Sequence, residues 1–310
     1  MTAALLFPGQ GSKGVLAGLA LALSSPAGAA LIDRAAAAAG VVRAELAARG
    51  GRALERTEVL QPVLTAISLA AHAHLLAAGL GAVAVAGHSL GELAAWSAAG
   101  CIAPEDAVDL AALRGRLMAR EAARRPGGLL ALLDGTEAAV RAALAIGGAR
   151  GSIAVGAFNA PDEVVLTGDE EALCAVAAAL PSRRLPVAGA WHGPAMLGAV
   201  EELRAALHAT PRRPMRVVWV SNRDGAVLGS DRGDEIPDRL AEQLARPVQW
   251  TRVLAALAAL VPSAFVTVGP GAVLRGLVRK SLGSLAGARV HGTEDAGDLA
   301  RTLEALQGSA

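Results

Sequence analysis

The chain has 310 residues, with 29 Lys plus Arg against 28 Asp plus Glu and a formal charge of +1 at pH 7. That balance gives no electrostatic reason to expect a nucleic acid or an anionic membrane as partner. Hydrophobic residues at 53% and charged residues at 18% exclude a disordered chain. Two cysteines, Cys101 and Cys174, exclude a disulfide scaffold or a cysteine-based zinc cluster and make a reduced, cytoplasmic setting the default.

The N-terminus, MTAALLFPGQGSKG, has no basic segment and reaches Pro8-Gly9 too early for a secretory signal. The longest apolar stretch, Leu75 to Gly87, is broken by Gly79 and Gly81 and falls short of the roughly 20 residues a bilayer needs. Ala3 to Phe7 reads as a buried strand closed by Pro8-Gly9. A helical region follows from about Val15 to Gly40. Gln61 to Ala78 has helical spacing with Pro62 in its first turn. Ala82 to Ala86 is a second strand, Leu90 to Ala99 a helix, and Pro104 opens a further helix with Glu105 and Asp106 in its first turn, as the helix dipole favours.

The composition shifts at Arg124-Arg125-Pro126-Gly127-Gly128. Beyond it come a strand, LLALL, a helix near Glu137 to Leu144, the strands SIAVGA and EVVLTG, a helix near Glu170 to Leu180, and the strand RRLPVA. This β-α-β-β-α-β order fits a ferredoxin-like unit. After Pro194 alternation resumes with VVWVSN, helices from Glu235 and Val253, and AFVTVG. The expected fold is therefore α/β: a larger α/β-hydrolase-like domain with a parallel core (1–124 plus 190–310) and an inserted ferredoxin-like domain (125–189).

The strongest chemical signal is Gly87-His88-Ser89-Leu90-Gly91, a G-x-S-x-G between a strand and a helix. A nucleophile elbow needs that context, because the tight turn exposes the Ser hydroxyl. The helix N-terminus behind it lets the Leu90 N–H face an oxyanion. A Ser nucleophile needs a base. Among six histidines, His72 and His74 lie in an apolar helix, and His208 and His291 in polar segments. His88 adjoins the nucleophile and shapes the elbow. His192 sits in a Gly/Pro-bounded loop after a strand, where a scaffold displays a base; taken alone it equally fits an ordinary loop histidine. Pro8-Gly9-Gln10-Gly11-Ser12, taken alone, reads as a plain strand-to-helix turn.

FPGQGS at 7–12, GHSLGE at 87–92, LRGRLM at 113–118, FNAP at 158–161, WHGPAM at 191–196, QLARPVQW at 243–250 and VGPGAVL at 268–274 occur in this order. Together, over Ala4 to about Leu282, they resemble malonyl-CoA:acyl carrier protein transacylases and the acyltransferase domains of polyketide synthases. The resemblance implies Ser89 as nucleophile and His192 as base, with the second imidazole nitrogen held by the main-chain carbonyl of Gln243. It makes Gln10 and Leu90 the main-chain donors of the oxyanion hole. Arg114, mid-helix in an Ala/Leu-rich segment, matches the arginine that grips the malonyl carboxylate, a role suited to its parallel N–H groups. Trp191 stands where relatives often carry Phe, and its bulk favours malonyl over α-methylated acyl groups. His88, Asn159 and Asn222 match polar positions near the substrate. The basic pairs Arg183-Arg184 and Arg279-Lys280 match what an acidic carrier protein or CoA phosphates would need.

The implied reaction is ping-pong transfer of malonyl from CoA to the phosphopantetheine thiol of an acyl carrier protein, in fatty-acid or polyketide synthesis. No tightly bound cofactor or metal is expected, phosphopantetheine being supplied by the carrier. Nucleic acid and membrane are not expected partners, and a monomer is expected. Two rivals remain at this stage. A serine thioester hydrolase would gain from a carboxylate behind His192, such as Asp162 or Asp169. A non-catalytic docking subunit would not need Ser89, His192 and Arg114 together.

Overall fold

The computed structural model describes residues 2–12, 14–283 and 289–307. Its strands are β1 (Thr2–Phe7), β2 (Gly81–Gly87), β3 (Gly128–Leu132), β4 (Ile153–Ala160), β5 (Glu163–Gly168), β6 (Ser182–Arg184), β7 (Val218–Val220), β8 (Val227–Leu228), β9 (Ala264–Thr267) and β10 (Val290–Gly292). Two sheets form among the described residues. The larger runs β10-β9-β1-β2-β7-β8, and every pairing in it is parallel except that of β7 with β8. The smaller, β4-β5-β3-β6, is antiparallel throughout. Its chain order, β3, helix, β4, β5, helix, β6, is the ferredoxin-like sequence expected of this stretch. The fold class thus agrees with the reading of the sequence.

Helices cover the larger sheet, so its central strands are apolar throughout rather than alternating. Ala3 to Phe7 are all buried, as are Ala84, Val85 and Ala86. Trp96, Trp219 and Trp250 are fully buried around this core. Each indole removes on the order of 200 Å² from water, an upper estimate of about 5 kcal/mol at 25 cal/mol/Å². The helix Thr57–Ala77 is long and apolar enough to cross a membrane, but 78% of its apolar window is buried inside the protein.

Several boundaries differ from the sequence reading, each for a local reason. The region from Val15 breaks into helices Val15–Leu23 and Pro26–Ala38, because the Ser25 side chain caps Gly28 N–H and Pro26 takes the first turn. The helix read from Gln61 starts a full turn earlier, at Thr57, and carries Pro62 inside it. The strand RRLPVA shrinks to Ser182–Arg184, since Pro186 cannot donate to a ladder. His291, read in a polar segment, lies half-buried on β10.

Two features position the site. First, β1, β2 and β7 all end at the same edge of the sheet, delivering Gln10, Ser89 and Asn222 from neighbouring strands. Ligands of open α/β sheets bind beyond these carboxyl ends. Second, Gly115 lets the helix Pro104–Arg124 touch the helix Thr57–Ala77 backbone to backbone. A Cβ there would stand 2.9 Å from Glu58 Cα. That approach sets Gln61 beside Arg114.

Candidate active site

The elbow after β2 is built by exclusion of side chains. A Cβ on Gly87 would lie 1.9 Å from the Gly91 carbonyl carbon, and one on Gly91 would lie 2.1 Å from Phe7 O. Only glycine fits either position. Ser89 between them has φ 51°, a left-handed conformation that costs a non-glycine residue of order 1–3 kcal/mol. Two side chains hold it there. Ser89 N–H donates to Asn222 Oδ1 at 2.8 Å, and Gln243 Nε2 donates to Ser89 O at 2.8 Å. The strained peptide is clamped from both ends.

The hydroxyl meets an imidazole directly. Ser89 Oγ lies 2.7 Å from His192 Nε2. His192 Nδ1 lies 2.8 Å from the main-chain oxygen of Gln243. A carbonyl only accepts, so Nδ1 carries the proton and Nε2 presents its lone pair to Ser89. His192 also has positive φ, 61°, and only 7% exposure. Burial, then the neighbouring Arg114 charge, pull its pKa down to about 3, so the resting imidazole is a neutral acceptor. No carboxylate backs it among the described residues. Asp162 pairs with Lys280 at 3.1 Å, and Asp169 accepts from Ser152 N–H at 2.7 Å.

Arg114 is 2% exposed, from the middle of its helix. Its Nη1 donates to Gln61 Oε1 at 2.8 Å, and its Nη2 to Ser89 Oγ at 3.1 Å and Gln243 Oε1 at 2.9 Å. A buried cation has therefore been set against the Ser89 hydroxyl. Burial lowers its pKa to about 10, which leaves it charged at neutral pH. Its neighbours Arg116 and Arg120 reach the surface instead.

The remaining sequence candidates fall around this centre. The FPGQGS loop abuts the elbow, with His88 N–H donating to Phe7 O at 2.9 Å. Main-chain N–H groups of Gln10 and Leu90 have no acceptor among the described residues. The Gln10 side chain donates to Thr57 Oγ1 at 2.6 Å. His88 Nε2 lies 2.9 Å from Asn159 Oδ1, and its ring meets Trp250 edge-on with centroids 5.3 Å apart. Asn222 is fully buried and also donates from Nδ2 to Gly87 O at 2.6 Å, so both ends of its amide are engaged by the elbow. Trp191 is 4% exposed, with its ring packed over Gly189.

Sequence reasoning passed over Gln61 and Glu92. Gln61 orients Arg114. Glu92 accepts from Asn222 N–H at 2.6 Å and from Gln243 Nε2 at 2.5 Å. Its place in GHSLGE, in the first turn of the helix Gly91–Ala98, was the available signal. Burial pushes its pKa up to about 8, against the hydrogen bonds and the Arg114 charge that hold it down. Among the described residues no group of three or more His, Cys, Asp and Glu side chains is gathered to hold a metal ion.

This geometry is an alcohol, an imidazole and a fixed cation in one buried cluster, the equipment of serine acyl transfer to or from an anionic group. The acyl transferase domain model matches residues 4–308 of the chain. The chain belongs to the acyl transferase domain family. A malonyl CoA-acyl carrier protein transacylase of Mycobacterium bovis is 34% identical over 309 residues, covering 96% of this chain and 99% of that protein. The crystal structure of the Mycobacterium tuberculosis transacylase superposes with TM-score 0.85 and 33% identity, covering 98% and 100% of the two chains. A malonyl-transacylase solved in complex with a type II polyketide synthase acyl carrier protein gives TM-score 0.86 and 28% identity, over 98% and 100%. As an acyltransferase of this family the chain has the expected two-sheet α/β fold.

Proposed function

We propose that this acyltransferase moves a malonyl group from coenzyme A to the phosphopantetheine thiol of an acyl carrier protein. The observation that carries this reading is the Arg114 guanidinium, 2% exposed and 3.1 Å from Ser89 Oγ. A dehydrated cation beside the nucleophile selects an acyl group with its own carboxylate. The names of the relatives agree with it.

His192 Nε2 takes the Ser89 proton as Oγ attacks the thioester carbonyl. The electron pair moves onto the carbonyl oxygen, which rests on the N–H groups of Gln10 and Leu90. The tetrahedral intermediate collapses, the C–S bond breaks, and the imidazolium returns its proton to the CoA sulfur. The carrier thiol then enters, His192 takes its proton, and the thiolate displaces Ser89 with the same steps reversed. Arg114 holds the malonyl carboxylate through both halves. Pairing with that carboxylate neutralises one of the charges that depress His192, so substrate itself restores basicity to the imidazole.

The carbonyl behind His192 supports a thiol acceptor over water. A thiol, with pKa about 8.5, yields its proton to a weak base far more readily than water, with pKa about 15.7. The bulk of Trp191 beside the base favours malonyl over α-methylated groups. The exposed pairs Arg183-Arg184 and Arg279-Lys280 would meet an acidic carrier by exchanging the Glu163, Glu170 and Asp162 carboxylates that face Arg183, Arg184 and Lys280 for those of the carrier. Every group of the site comes from one chain, so a monomer suffices, working in the cytoplasm where both substrates are found. Residues 125–189 form the inserted domain on this reading. Parallel time courses of carrier acylation and free malonate release test it. Carrier acylation must outrun hydrolysis; equal rates would make the protein a thioesterase.

A further inference from the structure

Glu92 touches no reacting atom, yet it holds the two side chains on which the site depends. It is 1% exposed. Oε1 accepts from Asn222 N–H, whose own amide grips both sides of the elbow. Oε2 accepts from Gln243 Nε2. Gln243 is the common partner of the whole site: its main-chain oxygen holds His192, its Nε2 also holds Ser89 O, and its Oε1 receives Arg114. An amide has two orientations, and here only one satisfies its neighbours. Turned over, Oε1 would face the oxygens of Glu92 and Ser89, and the NH₂ group would face a guanidinium. Glu92 also lies one amide away from Arg114, whose charge favours its ionised form.

We propose that Glu92 is a positioning residue for acyl transfer, whose two carboxylate oxygens fix Gln243 in one orientation and seat Asn222, and so set Ser89, His192 and Arg114 in reacting geometry. It deepens the malonyl-transfer reading and rests on it for the role of Arg114. The side-chain requirement is specific. Gln at 92 would place an NH₂ group against a donor on one side or the other.

The test is Glu92→Gln, read by the rate at which an uncharged fluorophosphonate labels Ser89 and by the malonyl-to-acetyl preference in acylation. Labelling needs only the Ser-His pair, so it decides the role of Glu92 even if the wild-type protein refuses malonyl-CoA, a result that would sink the substrate reading alone. The variant is expected to keep its circular dichroism, to label roughly tenfold or more slowly, and to lose malonyl preference. Glu92→Asp keeps two acceptor oxygens, one methylene farther from Asn222 and Gln243, and is expected to lie between wild type and Glu92→Gln in both readouts. Wild-type labelling and preference in folded Glu92→Gln, or a folded Glu92→Asp no better than Glu92→Gln, would overturn the assignment. Should Glu92→Gln not fold, Glu92→Asp carries the test: slowed labelling and a reduced malonyl preference in the folded variant support the assignment, and wild-type values or an unfolded protein refute it.

Discussion

Replacing Arg114 with Lys separates the charge at the site from its geometry. Arg114→Ala would strip Gln61 Oε1 and Gln243 Oε1 of a buried donor, so lost activity would be confounded with lost folding. Lys keeps the charge but offers a point donor in place of two parallel N–H groups. Losing one of two charge-assisted bonds to the malonyl carboxylate costs about 1.5–3 kcal/mol, which lowers kcat/KM for malonyl-CoA roughly 10- to 150-fold. Acetyl-CoA has no carboxylate and loses only the orientation that Arg114 gives Ser89 Oγ, about 1 kcal/mol or roughly fivefold. Rapid-quench acylation followed by intact-protein mass, with each thioester in turn, measures both. A fall of equal proportion for the two substrates would refute the assignment of Arg114 to the carboxylate.

The pKa of His192, about 3 and below its ordinary value, means the base form persists as pH falls. The kcat/KM of acylation, which reports the free protein, should stay level from pH 7 to pH 5 and decline only as pH approaches that value; an acid limb in kcat/KM centred near the ordinary histidine value of about 6.5 would contradict the buried, neutral imidazole. Gly91→Ala sets a methyl against Phe7 O, 2.1 Å away by construction, and should cost at least about 2 kcal/mol in denaturant unfolding. Unchanged stability would mean the elbow is looser than described. Asn222→Ala leaves Ser89 N–H and Gly87 O unpaired and should cost about 2–4 kcal/mol while slowing fluorophosphonate labelling of Ser89. Normal labelling would show that the left-handed Ser89 needs no such clamp.

Local chemistry explains what could be read in advance. The elbow was legible because its constraint is steric and contiguous: strand, glycine, serine, glycine, helix. The ferredoxin-like unit was legible because its strands and helices follow one another with turn residues between them. His192, by contrast, was a candidate from its Gly/Pro-bounded loop but was separated from an ordinary loop histidine only through resemblance, since nothing near it in sequence points to Ser89. Gln61 and Glu92 escaped because their meaning is tertiary. An acid in a first helical turn reads as a favourable dipole contact until its two oxygens are seen to face Asn222 and Gln243. Pro62 misled in the other direction. A proline suggests a helix start, but packing against the helix Pro104–Arg124 extends this one back to Thr57. β8 and β10, at two and three residues, are too short to carry a periodic signal.

The central claim is that malonyl resides covalently on Ser89 before it reaches the carrier. Mixing the protein with malonyl-CoA, mapping the adduct by peptide mass and then adding holo-carrier protein tests this in one tube. The adduct should sit on Ser89, be absent from Ser89→Ala, and move to the carrier thiol. An adduct on another residue, or a Ser89 adduct that is released as free malonate and never appears on the carrier, would contradict it.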